Sequence, residues 1–456
     1  MKRKGEKMRS EWGSKIGFIL ATAGSAIGLG NIWRFPYLAA QNGGGAFLLM
    51  YLLCVGFLGY FLLTAKLAFG HIAQTNFVDG FKQVVEEKIS HWWGRIGGGL
   101  TLFNIFAVSA VYVIVIGWTL SYVVAAGKNL IGLDKITIDE GLFGALTSSF
   151  GEQLFWIILC MAVAGLILMK GVKSGIEKVS LYLMPVLFLL LLFMVGWMIT
   201  LPNTGRGFTY LFLPRWEQLG FTDTGFSWNQ FAHLTLLALG QAIYSLSLGL
   251  GVCFIYGSYL KAGTNIKKSA LWVVVLDTCV AILASMIVLP AVFAFDLESG
   301  QGPALSFVTL PFVFDKMAGG SFLMMTFFLL LFLGALTSLI SIYEPAINLM
   351  MEKLAFSRTK ATLSVLGINL GLALVVLASF TKKIDFGKDL FEAFDYVTGT
   401  YTLGAMILVY CIFMGWKICP RLLANLHNNG PVFKAYFRFV LKWLAPMVLI
   451  LLFLTA

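Results

Sequence analysis

Apolar runs of about 18 or more residues recur from one end of this 456-residue chain to the other, each long enough to cross a hydrocarbon core of about 30 Å as a helix. The runs are continuous rather than alternating, which excludes a β-barrel. Composition agrees: 59% of residues are hydrophobic and 12% charged, with a mean hydropathy of +0.86. A soluble domain carries about 25% charged residues, so this chain lacks the polar surface to cover a water-facing globule. The sequence therefore predicts an all-α polytopic membrane protein with about eleven transmembrane helices. These fall near 13–37, 44–70, 96–126, 153–169, 177–200, 229–257, 268–296, 321–352, 360–380, 389–415 and 437–455.

The net charge of +11 is spread singly between the apolar runs instead of forming a nucleic-acid patch. Its distribution reads as topogenic. With the N-terminus in the cytoplasm, about 24 of the 33 Lys and Arg fall on the inner side and about 8 on the outer, leaving Arg34 inside a helix. The inner set comprises the N-terminal arm and segments 66–95, 170–178, 261–268, 353–360 and 417–442. A multi-pass protein of the plasma membrane follows, N-terminus inside and C-terminus outside. The basic start leads into an apolar stretch from Ile16 without a small-residue cleavage site, so it is read as a retained first helix. Outer segments near 127–152, 201–228 and 297–320 carry the Gly, Pro, Asp and Thr of solvated loops. The six cysteines (Cys54, Cys160, Cys253, Cys279, Cys411 and Cys419) have no paired spacing and are read as free thiols filling helix interfaces. His71, His91, His233 and His427 lack metal-ligand spacing, and no nucleophile and base pair stands out, which argues against an enzyme.

Two spans share an internal feature. The first carries Gly28-Leu29-Gly30 and the sixth Gly249-Leu250-Gly251, both in mid-span. Glycine costs about 1 kcal/mol relative to alanine in a helix, so matched pairs mark points where both helices break. A break leaves carbonyls bare on one half-helix and N–H groups bare on the other, natural ligands for cations and an anion. Close helix packing through small residues is the alternative use of such glycines.

Residues 12–47, WGSKIGFILATAGSAIGLGNIWRFPYLAAQNGGGAF, closely resemble the first-helix signature of the neurotransmitter:sodium symporter family, above all its bacterial amino-acid members with the leucine-transporter fold. VYVIVIGWTLSY (111–122), GQAIYSLSLGLG (240–251), LGALTSLISIYEP (333–345) and FDYVTGTYTL (394–403) extend the resemblance over essentially the whole chain. It implies a single transporter domain with a 5+5 inverted-repeat fold and broken first and sixth helices. The repeats would span 13–200 and 229–415, followed by an extra helix at 437–455. Eleven helices rather than twelve is similar to a bacterial branch of the family.

The resemblance also implies roles. One sodium ion would be held by the Ala26 carbonyl, Asn31, Ser245, Asp277 and the substrate carboxylate. A second would be held by the carbonyls of Gly24, Ile27 and Gly334 with the hydroxyls of Thr337 and Ser338, an all-oxygen shell suited to a hard alkali cation. Those hydroxyls have an alternative use, bonding back to their own helix. Asp277 is a carboxylate within an otherwise uninterrupted apolar span, where an unpaired charge costs at least about 2.5 kcal/mol and by default marks function. Chloride-dependent relatives carry a neutral Asn at this position, and some chloride-independent bacterial ones a carboxylate one turn on, where this chain has Ala281. Asp277 near Tyr51, Gln241 and Ser245 would thus replace chloride and make transport chloride-independent.

Substrate would lie among Ser25, Leu29, Gly30, Val108, Tyr112, Tyr244, Ser247, Leu250 and Ile342, with Ser341 a further polar contact. Tyr112 would hold the substrate carboxylate, although packing is the commoner use of such an aromatic. Gly28 stands where monoamine carriers have an aspartate, which implies a substrate bringing its own carboxylate, an α-amino acid. Leu250 replaces a phenylalanine of the leucine carrier and leaves room for hydrophobic or aromatic side chains, tyrosine or tryptophan favoured. Arg34 and Asp395 match an outer ion-pair gate. Arg9 and Glu352 match an inner latch, surrounded by Trp12, Tyr259 and Glu344. Gly175 and Pro185 frame a fifth helix whose cytoplasmic half could unwind, a loop glycine and a mild proline kink being the alternative. The function implied is sodium-coupled amino-acid symport with two sodium ions as the expected ionic partners. The alternative is a non-transporting amino-acid-binding membrane sensor of the same fold.

Overall fold

The computed structural model describes residues 10–84, 90–133, 140–223, 225–295, 305–317, 319–384, 386, 389–427 and 429–455. The first apolar run is two helices, α1 (Lys15–Ala26) and α2 (Gly30–Gln41), bent by 55° at their junction. Ser14 starts α1 by accepting from the Gly17 N–H, and Ile27 ends it in extended backbone. Next come α3 (Gly45–Ala73), the short α4 (Phe77–Val84) and the long α5 (Ser90–Leu130). They are followed by α6 (Glu140–Ser148), α7 (Phe150–Met169), α8 (Val172–Thr200) and α9 (Gly205–Phe212). A two-stranded antiparallel hairpin, β1 (Phe221–Thr222) with β2 (Gly225–Phe226), leads into α10 (Trp228–Ser245) and α11 (Val252–Ser258). The remainder is α12 (Ile266–Ala294), α13 (Leu305–Asp315), α14 (Gly320–Lys353), α15 (Arg358–Phe380), α16 (Leu390–Lys417), α17 (Cys419–Asn425) and α18 (Pro431–Leu454).

Among the described residues nine helices are long and apolar enough to cross a membrane, or ten with α1 and α2 taken as one span. The expected eleven is not reached in this form, because the run at 229–257 is divided into α10 and α11. α14 lies at the centre, packed on α1, α5, α8 and α15 and buried along most of its length. α8 sits at the rim: Tyr182, Val186, Leu189 and Phe193 share one helical face and are all exposed. An apolar face left bare at helical spacing is the signature of a surface that meets lipid rather than water.

The structure corrects several expectations. The segments read as solvated loops contain α6, α9, α13 and the hairpin. Lys66, counted among the inner-loop charges, is completely buried within α3. Five cysteines are buried free thiols, but Cys279 is exposed and fills no interface. Around Gly175 the chain is helical in this conformation: Val172–Glu177 is a π-helical turn running straight into Lys178–Thr200, with Pro185 inside the helix.

Candidate functional site

The two helix breaks face each other. Between α10 and α11 the chain leaves helical geometry through Ser247, at φ 50°, and Gly251, at φ 75°. The Ser247 hydroxyl donates to the Ser25 carbonyl at 2.8 Å, joining this break to the end of α1. Around them lies a cavity of about 510 Å³ lined by all nine residues expected at the substrate: Ser25, Leu29, Gly30, Val108, Tyr112, Tyr244, Ser247, Leu250 and Ile342. The Leu29 N–H points at the Tyr112 hydroxyl from 3.5 Å. Ser341 is not part of the lining; its hydroxyl donates to the Thr337 carbonyl and accepts from Tyr256, each at 2.8 Å. The cavity also takes in Asn229 and His233 of α10 and Leu452 and Phe453 of α18, which the sequence reading missed. Asn229 and His233 are four apart, one turn on a shared helical face, and that spacing was the available signal.

At one edge of the cavity Asn31, Ser245 and Asp277 form a buried polar cluster. The Asn31 amide donates to Ser245 Oγ at 3.0 Å, and the Ser245 hydroxyl donates to Asp277 Oδ2 at 2.6 Å. Tyr51 donates to the same Asp277 oxygen at 3.3 Å. Asn31 Oδ1 is buried and has no hydrogen-bond partner. A bare amide oxygen beside a carboxylate fits a hard cation, and Ala26 lies at the same cavity wall. Gln241 donates to the Gly30 carbonyl at 2.8 Å, next to Asn31, and accepts from Arg34.

A second oxygen-rich cluster joins α1 to α14. Ser338 Oγ lies 3.2 Å from the Gly24 carbonyl oxygen and 3.0 Å from that of Ile27, both at the end of α1 where helical carbonyls lose their partners. Thr337 Oγ1 donates within its own helix, to Gly334 at 2.9 Å and Leu333 at 3.2 Å. The back-bonding alternative therefore describes Thr337, whereas Ser338 reaches across to α1. Gly24, Ile27, Gly334, Thr337 and Ser338 are together in space and supply only oxygen.

The expected outer ion pair is not formed: among the described residues no salt bridge within 4.0 Å joins Arg34 to Asp395. Arg34 donates instead to Gln241 Oε1 at 3.1 Å, with its guanidinium 4.9 Å from the centre of the Tyr244 ring. At the opposite end, Arg9 lies outside the described residues. Glu352 accepts from Thr75 Oγ1 at 3.1 Å and from the Asn76 main-chain and side-chain nitrogens at 2.9 and 2.8 Å. Nearby, burial raises the Asp79 carboxyl, but hydrogen bonds from Lys353 and Asn76 and the charges of Lys353 and Lys82 outweigh it and hold the group below its usual range. Trp12 is buried against Tyr256 and Tyr259 and donates to the Tyr256 carbonyl at 3.0 Å. Tyr259 donates to Glu344, which is also held by a two-pronged ion pair from Arg358 at 2.6 and 2.8 Å. Glu177 accepts from the main-chain nitrogens of Gly13 and Ser14 at 2.6 and 2.8 Å, fastening the start of α1 to α8. Arg358 and Glu177 join helices at this end of the fold, and the sequence reading did not single them out.

The sodium:neurotransmitter symporter family matches residues 9–132 and 142–456 of this chain. An uncharacterized sodium-dependent transporter of Bacillus subtilis, YhdH, is 34% identical over 98% of both chains. An uncharacterized sodium-dependent transporter of Haemophilus influenzae is 31% identical, again over 98% of each. The crystal structure of MhsT in complex with L-phenylalanine superposes with a TM-score of 0.86 at 32% identity, covering 98% of this chain and all of that one. With two broken helices meeting at one cavity and oxygen-rich clusters at its edge, the chain belongs to the sodium:neurotransmitter symporter family and is a sodium-dependent multi-pass membrane transporter rather than an enzyme.

Proposed function

We propose that the protein imports hydrophobic or aromatic L-amino acids, tyrosine or tryptophan foremost, together with two sodium ions and without chloride. The observation that carries this reading is the single cavity shared by both helix breaks, walled by Val108, Tyr244, Leu250 and Ile342 and bordered by both oxygen clusters. The substrate carboxylate sits at the Leu29 and Gly30 N–H groups that open α2, where the helix dipole favours an anion, and beside Tyr112. The ammonium faces carbonyls of the α10–α11 break. Gly28 adds no carboxylate to this wall, so a zwitterion fits better than a simple amine. An aromatic substrate is further supported by MhsT, whose structure holds L-phenylalanine.

One sodium ion takes Ala26, Asn31, Ser245, Asp277 and the substrate carboxylate; the other takes Gly24, Ile27, Gly334, Thr337 and Ser338. Asp277 supplies the fixed negative charge that makes chloride unnecessary. The halves at 13–200 and 229–415 move against each other about the breaks, with 437–455 as an added helix. Arg34 with Asp395 closes the outer side, and Arg9 with Glu352 the inner, in a plasma-membrane protein whose N-terminus is cytoplasmic. Each charge moved through 100 mV is worth about 2.3 kcal/mol and each tenfold sodium gradient about 1.4 kcal/mol. Two ions per zwitterion therefore support roughly thousandfold or greater accumulation.

The test is uptake of labelled tyrosine, tryptophan and leucine into proteoliposomes under an inward sodium gradient, against potassium, without chloride. Sodium-specific accumulation is expected. Sodium-dependent binding without accumulation would instead mark an amino-acid sensor, and no response to any of the three would reject the substrate class.

A further inference from the structure

Lys66 is a lysine with none of its surface exposed, in the last third of a helix that crosses the membrane. An ammonium there is expensive and by default marks a functional role. Among the described residues it forms no ion pair with a carboxylate. Its Nζ donates to the carbonyl of Leu248, inside the α10–α11 break, and lies 4.0 Å from the centre of the Tyr410 ring. A charge-assisted hydrogen bond and an aromatic face are the two partners that make a buried cation tolerable.

The carbonyl it takes is an unusual one. Ser247, Leu248, Gly249 and Leu250 line the cavity between α10 and α11; the N–H groups of Ser247 and Leu248 still bond to the Tyr244 and Ile243 carbonyls of α10, while the Leu248 and Gly249 carbonyls take side-chain donors from other helices. Three neighbouring helices hold this segment in place. Ser247 reaches the Ser25 carbonyl of α1 at 2.8 Å, and Asn104 of α5 lies 3.5 Å from the Gly249 carbonyl, a weak bond. Lys66 of α3 takes Leu248. Of the three, only Lys66 brings a charge, and α3 is also the helix most closely joined to α11. A Cβ on Gly70 would overlap the Phe254 carbonyl, and one on Gly257 the Leu67 carbonyl, so the two backbones touch directly. α3 therefore grips both the break and the half-helix beyond it.

We propose that Lys66 is a positioning residue for the substrate site: through the Leu248 carbonyl it holds the break of the sixth span in the shape that binds substrate, without touching substrate itself. Its side chain lies behind the cavity wall and not in it. The inference rests on the reading of this break as the substrate site. Without the ammonium, the buried Leu248 carbonyl loses its partner, and the segment shifts to find another.

Cys253 provides a readout that does not depend on the substrate. It is buried at the first turn after the break, its thiol 3.7 Å from the Leu246 carbonyl. The experiment compares wild type with Lys66→Met, Lys66→Gln and Lys66→Arg. The rate at which a membrane-permeant maleimide labels Cys253 is read by mass spectrometry, and the KM and maximal rate of amino-acid uptake are measured in proteoliposomes. Lys66→Met, which keeps bulk but cannot donate, is expected to label Cys253 at least tenfold faster. It should raise KM at least tenfold while the maximal rate falls less than threefold. Lys66→Arg is expected to restore both, and Lys66→Gln to restore them in part. Labelling of Lys66→Met within twofold of wild type overturns the proposal, as does faster labelling with an unchanged KM, or donor variants that behave like Met. Should Lys66→Met fail to assemble, Arg and Gln decide: KM near wild type supports the proposal and a tenfold rise in both overturns it. A wild type that transports none of the amino acids is a failure of the substrate reading, and the labelling rates still judge Lys66.

Discussion

The Asn31 side-chain amide donates both to the main-chain carbonyl of Asp277, at 3.0 Å, and to its carboxylate Oδ1, at 2.8 Å. With Ser245 and Tyr51 on the other carboxylate oxygen, Asp277 is held from three sides by neutral donors. Hydrogen bonds orient such a charge but do not neutralise it, and a cation at the bare Asn31 Oδ1 would. Asp277→Asn removes the charge while preserving the shape. Uptake by this variant is expected to be low in gluconate and stimulated by chloride in a sodium gradient. Equal inactivity with and without chloride would count against Asp277 as the chloride substitute.

Gly28 stands where the end of α1 meets α5 and α14. A Cβ at this position would lie 2.6 Å from the Tyr112 hydroxyl and 2.7 Å from Ser338 Oγ, closer than any real contact. One alanine therefore pushes on a substrate-site hydroxyl and on an oxygen of the second cation cluster together. Overpacking of this kind costs about 1–3 kcal/mol, so Gly28→Ala should raise the uptake KM about 5–150-fold and weaken sodium activation. Ser338→Ala combined with Gly28→Ala should recover part of the substrate KM but none of the sodium response. Kinetics of the single and double variants against both solutes check this.

Much of this site was legible in the sequence because its signals are local. Gly28-Leu29-Gly30 and Gly249-Leu250-Gly251 interrupt two apolar runs, and a break in a membrane helix has few uses besides binding. Asp277 stood out for the same reason, as a charge within an uninterrupted apolar run. Lys66, Glu177 and Arg358 did not stand out, because each lies near the end of a run where basic and acidic residues are ordinary. Only the fold shows Lys66 turned inward to Leu248, Glu177 under Gly13, and Arg358 beneath Glu344. The helices α6, α9 and α13 were missed because short helices lying outside the spans keep the Gly, Pro and Thr content of loops.

The Glu344–Arg358 pair fastens the end of α14 to the start of α15, and Arg358 also donates to the Leu168 carbonyl of α7 at 2.8 Å. Glu344 is fully buried, so removing its partner strands a carboxylate that, among the described residues, keeps just the Tyr259 hydroxyl as a hydrogen-bond donor. Loss of one member of a buried pair costs about 3–5 kcal/mol, whereas replacing both with apolar groups is often neutral. Arg358→Met should lower thermal stability in detergent sharply, and Arg358→Met with Glu344→Met should return most of it. A double variant as unstable as the single would mean that the contact with Leu168, not the charge pair, carries the joint.

Arg34 is at present committed to Gln241, and Gln241 also holds the Gly30 carbonyl at the head of α2. The Arg34 contact thus ends on the residue that steadies the bend of the first span. For Arg34 to reach Asp395 it must leave Gln241, which frees that glutamine oxygen and loosens the α2 start where the substrate carboxylate is proposed to bind. A charge-assisted hydrogen bond to a neutral amide is exchanged for an ion pair, a trade that favours the pair once the space above the substrate is dry. Gln241→Leu should therefore close the outer side more readily, and Asp395→Asn should leave it open. The expected outcome for Asp395→Asn is an uptake rate at least tenfold lower, with equilibrium binding of substrate changed less than threefold. For Gln241→Leu, a cysteine placed at Asn229, in the cavity beyond Arg34, should label several-fold more slowly in the presence of sodium and substrate. If labelling at that position is indifferent to both variants, Arg34 and Asp395 are not the pair that closes the cavity.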